Sequence, residues 1–164
     1  RGRSLYIHGS PASRMLSRLQ TGLEVCVTVT LLDGLVLARS AFHHSMNYRS
    51  VVIFGQAECV RDAAQKQAAL QAFTNHVIGD RWSEVRPVTP QEIAATTVLA
   101  LPLEEASAKI RTGPPLDDEA DYALPIWAGV LPLQQMVGAA IADPRLGPEV
   151  AIPNSVQKLL AKNC

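Results

Sequence analysis

The segment Tyr6-Ile7-His8-Gly9-Ser10-Pro11-Ala12-Ser13-Arg14 breaks a strand-like run at a glycine and follows it with two hydroxyls and a guanidinium. Placed where a helix begins, such groups suit a phosphate. The first helical turn offers unpaired N–H groups and the positive end of the dipole, and arginine adds a charge-assisted bond. The same residues also describe an ordinary helix cap beside a solvated arginine. His8 reads either as a residue facing a bound cofactor or oxidant, or as a half-buried histidine at a strand end.

A second cluster joins Arg39-Ser40 to His43-His44-Ser45-Met46-Asn47-Tyr48-Arg49-Ser50, a run of donors between two apolar strands. Hydrogen-bonding side chains at strand ends are how a barrel mouth grips the polar rim of a ligand. The adjacent histidines do not suggest a metal ion, because neighbouring side chains of an extended segment point to opposite faces. A third cluster holds Lys109, Arg111, Gly113, Asp117 and Asp121, followed by Trp127-Ala128-Gly129. Trp127 either stacks on a flat ligand or fills a core. The patterns GxGxxG, GxxxxGK[ST], HExxH and GxSxG do not occur, so the common nucleotide, protease and hydrolase signatures are silent.

The elements that must position these groups follow from periodicity and punctuation. Arg3 to His8 alternates as a strand, with a helix expected from Pro11 to Gln20, capped by Ser10 and stopped at Gly22. Leu23 to Leu32 and Leu35 to Phe42 read as two strands of a hairpin turned at Asp33-Gly34. Tyr48 to Val60 is a third strand, with Gly55 marking a bend. Asp62 caps a helix to Ile78, and Thr89-Pro90-Gln91-Glu92 is a capping box opening a short helix. Thr96 to Ile110 is one long strand interrupted at Pro102, Thr112 to Pro115 a polar loop, Ile126 to Leu133 the last strand, and Ser155 to Lys162 a terminal helix.

The 164 residues are 48% apolar and 18% charged, enough for one domain with a packed core, and 15 basic side chains balance 15 acidic ones. No global field draws the chain to nucleic acid or an anionic membrane, and the apolar runs are too short to span a bilayer. Any anion must be held locally. Cys26, Cys59 and Cys164 lie far apart with no CxxC pair, which fits a reducing cytoplasm. The start at Arg1-Gly2-Arg3, without an initiator Met, reads as the trace of a longer natural protein. The expected class is mostly β or α+β: a small antiparallel barrel decorated with helices.

Together these residues resemble the pyridoxamine 5′-phosphate oxidase-like FMN-binding split barrels, in the branch related to nitroimidazole-resistance proteins. The resemblance rests on Tyr6-Ile7-His8 leading into Ser13-Arg14, on Leu32-Asp33-Gly34 through Ser40, and on Tyr48-Arg49-Ser50 running through Gly55-Gln56-Ala57-Glu58. It rests also on Lys109-Ile110-Arg111-Thr112-Gly113-Pro114-Pro115 and on Trp127-Ala128-Gly129-Val130. It implies an antiparallel split barrel over residues 1–164, lacking the strands that would precede Arg1, as a single FMN-binding domain. It further implies a homodimer with flavin at the subunit interface and phosphate on Ser10, Ser13 and Arg14. Asn47, Arg49 and Ser50 would contact the ring edge or ribityl chain, and Trp127 would cover one side. His8 would face the cofactor as the residue closest to catalysis. The implied activity is FMN-dependent oxidation or reduction of a small organic molecule; the alternative is a non-catalytic module binding FMN or another phosphate ligand. Met15 stands where the oxidases carry a lysine, and no Arg-x-His pattern follows Trp127.

Overall fold

The computed structural model describes residues 3–161. Arg1, Gly2, Lys162 and Cys164, on which some of the expectations fall, lie outside the described residues. The element order is β1 (Ser4–Gly9), α1 (Arg14–Leu19), β2 (Glu24–Leu37), β3 (Ser45–Gln56), β4 (Glu58–Cys59), α2 (Ala63–Val77), α3 (Pro90–Ala94), β5 (Thr97–Pro102), β6 (Glu105–Arg111), β7 (Gly129–Pro132) and α4 (Asn154–Ala161). The fold is α+β, two sheets with antiparallel pairing and decorating helices, the class the sequence implies. The chain packs as two compact units.

The first unit comprises residues 3–23, 56–102 and 136–161. Its sheet has the order β1-β5-β4, with His8 opposite Val98 and Gly9 opposite Thr97. The central strand β5 is covered on both faces, so it reads as the continuous apolar run Val98-Leu99-Ala100-Leu101 instead of alternating. Leu16 of α1, Ala57 and Leu99 form a buried cluster, with Ile7, Leu19 and Cys59 packed against it.

Two helix starts in this unit are those the sequence specifies. The Asp62 carboxylate accepts from the Gln65 N–H at 2.9 Å, capping α2. At α3 the Thr89 hydroxyl accepts from the Glu92 N–H and the Glu92 carboxylate accepts from the Thr89 N–H, a complete capping box. The Arg86 guanidinium also grips Glu92. This hydrogen bond, with that from the Thr89 backbone, pulls the Glu92 pKa from 4.5 to about 2. A depressed carboxylate pKa contributes stability above its unfolded value and loses it as pH falls towards the folded value. Glu92→Gln is therefore expected to melt below wild type at neutral pH, the gap closing between pH 4.5 and about 2. Thermal melts across that window check it; a gap independent of pH would contradict the assignment.

The second unit comprises residues 24–55 and 103–135, and its sheet has the order β6-β3-β2-β7. Val36, Ala38 and Ile53 are its buried apolar side chains. Here the sequence misleads at Asp33-Gly34. No turn forms there, and β2 runs unbroken from Glu24 to Leu37. Gly34 is an extended, buried strand residue opposite Pro132, and a Cβ on it would lie 3.0 Å from Val130 Cγ1 and 3.2 Å from the Leu131 carbonyl oxygen. The glycine serves close approach of β7, not reversal of the chain.

Two further expectations change. Thr96 to Ile110 is two strands, β5 and β6, in different sheets, with the break just after Pro102. Tyr48 to Val60 is likewise two strands, β3 and β4, in different sheets, and Gly55, at φ 151°, lies where β3 is ending.

Candidate functional site

Of the residues expected at a site, His8, Ser10, Ser13 and Arg14 belong to the first unit, and Asn47, Arg49, Ser50 and Trp127 to the second. Each group is described within its own unit.

In the first unit, helix α1 starts at Arg14 with Ser13 as N-cap, not at Pro11 behind Ser10. The Ser10 hydroxyl accepts from the Ala12 N–H at 3.2 Å, and the Ser10 carbonyl from the Ser13 N–H at 2.9 Å. That local turn uses the residues a longer helix would have taken. The Ser13 hydroxyl accepts from the Leu16 N–H at 3.4 Å. A helix of six residues aligns few peptide dipoles, so the capacity to hold an anion rests on the hydroxyls and on Arg14. The Arg14 side chain is exposed and makes no ion pair or hydrogen bond within the described residues. His8 is exposed at the end of β1, its ring edge-on to Phe73 of α2 with centroids 4.5 Å apart. Phe73 lies 65 positions from His8, beyond the reach of any local pattern in the sequence.

In the second unit, Asn47 is buried. Its amide nitrogen donates to the Gly113 carbonyl at 3.1 Å, and its amide oxygen accepts from Arg111 at 2.7 Å. Asn47 thus ties the loop after β6 to the start of β3. The pleat sends Arg49 and Ser50 to opposite faces. On one face Ser50 and Thr30 share a hydroxyl hydrogen bond of 2.8 Å. On the other, Arg49 forks onto the Asp33 carboxylate at 2.9 and 2.8 Å. That hydrogen bond holds the Asp33 carboxyl below its usual range and raises Arg49 further. The pair is largely solvent-exposed and so weak, which leaves Arg49 free to change partner. It lines a cleft of about 490 Å³ with Thr30, Leu31, Leu32, Leu133 and Gln134.

Trp127 is 65% exposed, and its indole lies over the backbone of Gly129, where a Cβ would come 3.0 Å from Cζ2. It therefore presents a flat apolar face to its surroundings and does not fill a core.

The connection between β2 and β3 is braced from the loop that precedes β7. The Asp117 carboxylate accepts from the Arg39 backbone N–H and from its guanidinium, each at 2.9 Å, and Arg39 lies 5.0 Å from the centroid of the Tyr122 ring. Burial opposes ionisation of Asp117, but these bonds outweigh it and hold its pKa below the usual value. Beside them, His43 Nε2 sits 3.5 Å from the Asp118 carboxylate, and His44 Nδ1 is 2.8 Å from the Ser40 carbonyl. Among the described residues the buried Arg39 Nε and Ser40 hydroxyl have no hydrogen-bond partner. The partners of Asp33 and Gly113 lie 16 and 66 positions away, beyond any local pattern in the sequence. Among the described residues no group of three His, Cys, Asp or Glu could hold a metal ion, and no helix is long and apolar enough to cross a membrane.

The family model for pyridoxamine 5′-phosphate oxidase matches residues 1–110. No curated protein matches. Among solved structures, the flavocytochrome Anf3 from Azotobacter vinelandii is 46% identical, the match covering 97% of this chain and 74% of that one, with a TM-score of 0.90. The FAD and haem binding protein from Mycobacterium smegmatis is 39% identical over 97% of this chain and 78% of that one, with a TM-score of 0.92. A proposed 5-nitroimidazole antibiotic resistance protein from Bacteroides thetaiotaomicron is 23% identical over 66% of this chain and 61% of that one, with a TM-score of 0.53, a likeness of fold alone.

Proposed function

The chain belongs to the pyridoxamine 5′-phosphate oxidase family, and from that premise we propose that it is a flavin-binding redox protein that works together with haem. The observation that carries this reading is the pair of neighbours, a flavocytochrome and an FAD and haem binding protein, sharing 46% and 39% of their residues with this chain over 97% of its length.

The flavin is FMN on the family resemblance, whereas FAD is the cofactor of the Mycobacterium protein. Both carry the isoalloxazine ring, the ribityl chain and a 5′-phosphate, so one phosphate seat serves either. The donor set of the first unit fits that phosphate: two hydroxyls, Ser10 and Ser13, beside the guanidinium of Arg14, which is unpaired among the described residues. In this reading Arg49 meets the polar edge of the flavin, Ser50 on the opposite face of the strand steadies it through Thr30, Asn47 keeps that strand in register with the following loop, and Trp127 lays its exposed face on the ring. His8, kept upright by Phe73, faces the reacting part of the site. A bound flavin supplies the hydride and electron transfer; the protein binds it, orients it and shields it from water.

The working form in this reading is a cytoplasmic homodimer that handles a small organic substrate. Apolar side chains left exposed in the second unit support a second copy: Val29, Leu31 and Leu32 on the interior strand β2, Phe54 on β3 and Ile110 on β6. The free thiols of Cys26 and Cys59 suit a reducing compartment.

Purified full-length protein is expected to be coloured, to release FMN or FAD on acid extraction, to give a haem absorption band and to scatter light as a dimer. Chromatography of the extract tells FMN from FAD. A colourless protein that takes up neither flavin nor haemin on titration would overturn the reading, and a loaded protein whose flavin no donor reduces would make it a binding module.

A further inference from the structure

We propose that the cavity between the start of α2 and α3 binds a carboxylate carried on a small apolar body, held by Arg61 and Lys66. None of the residues assigned to the flavin lines this cavity, so the proposal stands apart from that reading. The cavity has a volume of about 510 Å³, within the range of small-molecule sites, and lies wholly in the first unit.

Its lining is of two kinds. Val88, Pro90, Ile93 and Ala94 supply an apolar floor from α3 and the segment leading into it, Ile93 being buried. From α2 come Ala63 and Ala64, whose small side chains leave the space open. The polar lining is Arg61, Lys66 and Gln67, two cations and an amide, and among the described residues no carboxylate joins them. The chain as a whole is neutral, so this is a local excess of positive charge beside an apolar surface.

Both cations are available to a ligand. Lys66 Nζ donates to the Thr96 carbonyl oxygen at 2.9 Å, which fixes the ammonium and leaves two of its three donors free within the described residues. The Arg61 side chain is exposed and makes no ion pair or hydrogen bond within the described residues, so its planar fork is open to a carboxylate. The neighbouring acids are committed elsewhere. The Asp62 carboxylate accepts from the Gln65 N–H as the cap of α2, and the Glu92 carboxylate accepts from the Thr89 N–H and from Arg86. Because Asp62 already serves the helix end, the partners of the bound anion are the two side chains. A bare inorganic anion would meet the charges but leave the floor wet. A neutral apolar molecule would cover the floor and leave both cations without a counter-charge. A carboxylate on an apolar body does both, burying apolar surface while it pairs with the guanidinium.

The test is calorimetric titration of the full-length protein, at low ionic strength, with phenylacetate, with its neutral counterpart phenylethanol and with inorganic phosphate. Phenylacetate is expected to bind once per chain, phenylethanol about tenfold or more weaker, and phosphate is expected not to displace phenylacetate. Arg61→Gln is expected to weaken phenylacetate binding about tenfold, with a smaller salt dependence than wild type. Ala94→Leu is expected to abolish binding by filling the space over the floor, while its melting temperature and flavin content stay near wild type, because residue 94 is exposed. Ala64→Leu, also exposed, takes its place if that variant does not fold. Wild type that takes up no phenylacetate, or binds phenylethanol as tightly, overturns the proposal. So does phosphate that displaces phenylacetate, or wild-type affinity in Arg61→Gln or in the cavity-filling variant.

Discussion

Gly34→Val is expected to destabilise the protein by about 1–2 kcal/mol, although valine is among the best strand formers. Position 34 is an interior strand residue, so glycine there carries an entropic cost that valine would remove, a gain of about 0.5–1 kcal/mol. Against it stands the approach of β7. The first added carbon would meet Val130 Cγ1 at 3.0 Å and the Leu131 carbonyl oxygen at 3.2 Å. The Val130 side chain can rotate away, but the carbonyl belongs to the pairing of β2 with β7 and moves only if the strands part. Overpacking of this kind typically costs about 1–3 kcal/mol, more than the entropy returns. Chemical denaturation of Gly34→Ala and Gly34→Val should show graded losses, alanine the smaller. A valine variant as stable as wild type would mean that β7 does not press on this strand.

The same residue shows why the sequence misleads where it does. Asp33-Gly34 between aliphatic runs is the strongest short hairpin signal there is, yet both residues answer to partners elsewhere. Gly34 yields to β7, and the Asp33 carboxylate binds Arg49 of β3 while its carbonyl accepts from the Leu133 N–H at 3.0 Å. Where structure is decided within a turn of chain, the residues declare it. The Thr89 capping box and the Asp62 cap are both in place. Where tertiary pairing decides, local pattern fails. Thr96 to Ile110 is uniformly strand-like, but only the sheets tell that one half pairs with β1 and the other with β3.

The candidate site divides along the same line. Ser10, Ser13 and Arg14 are legible because a strand, a glycine and two hydroxyls meet within a few positions, although the helix starts later than its punctuation suggests. Asn47 and Arg49 were visible as donors but not as residues with partners of their own. Those partners, Gly113, Arg111 and Asp33, are set by the order of strands in the second sheet. The contact of His44 with the Ser40 carbonyl lies in between. Its acceptor is only four positions back, but the hydrogen bond depends on the short helical turn at Ala41–His43.

Arg14→Ala is expected to weaken flavin binding by about 10- to 100-fold, equivalent to about 1.5–3 kcal/mol for a lost charge-assisted hydrogen bond. Arg14 is the cleanest residue in the turn to replace. Ser13 caps α1 through Leu16, and Ser10 holds the turn through Ala12, so changing either alters the fold as well as the site. Arg14 is exposed and bonded to nothing within the described residues, and its removal should leave the melting temperature near wild type. Exposure also sets the scale of the effect. Salt screens a solvent-facing charge, so the loss should be largest at low ionic strength and shrink as salt is added. Met15 sharpens the expectation, because the next position offers no second cation to take up the phosphate. Arg14→Lys keeps the charge but not the planar fork, and its affinity should fall between the two. Flavin titrations at two salt concentrations decide the matter. Equal affinity in all three proteins would place the phosphate elsewhere and leave Arg14 an ordinary surface residue.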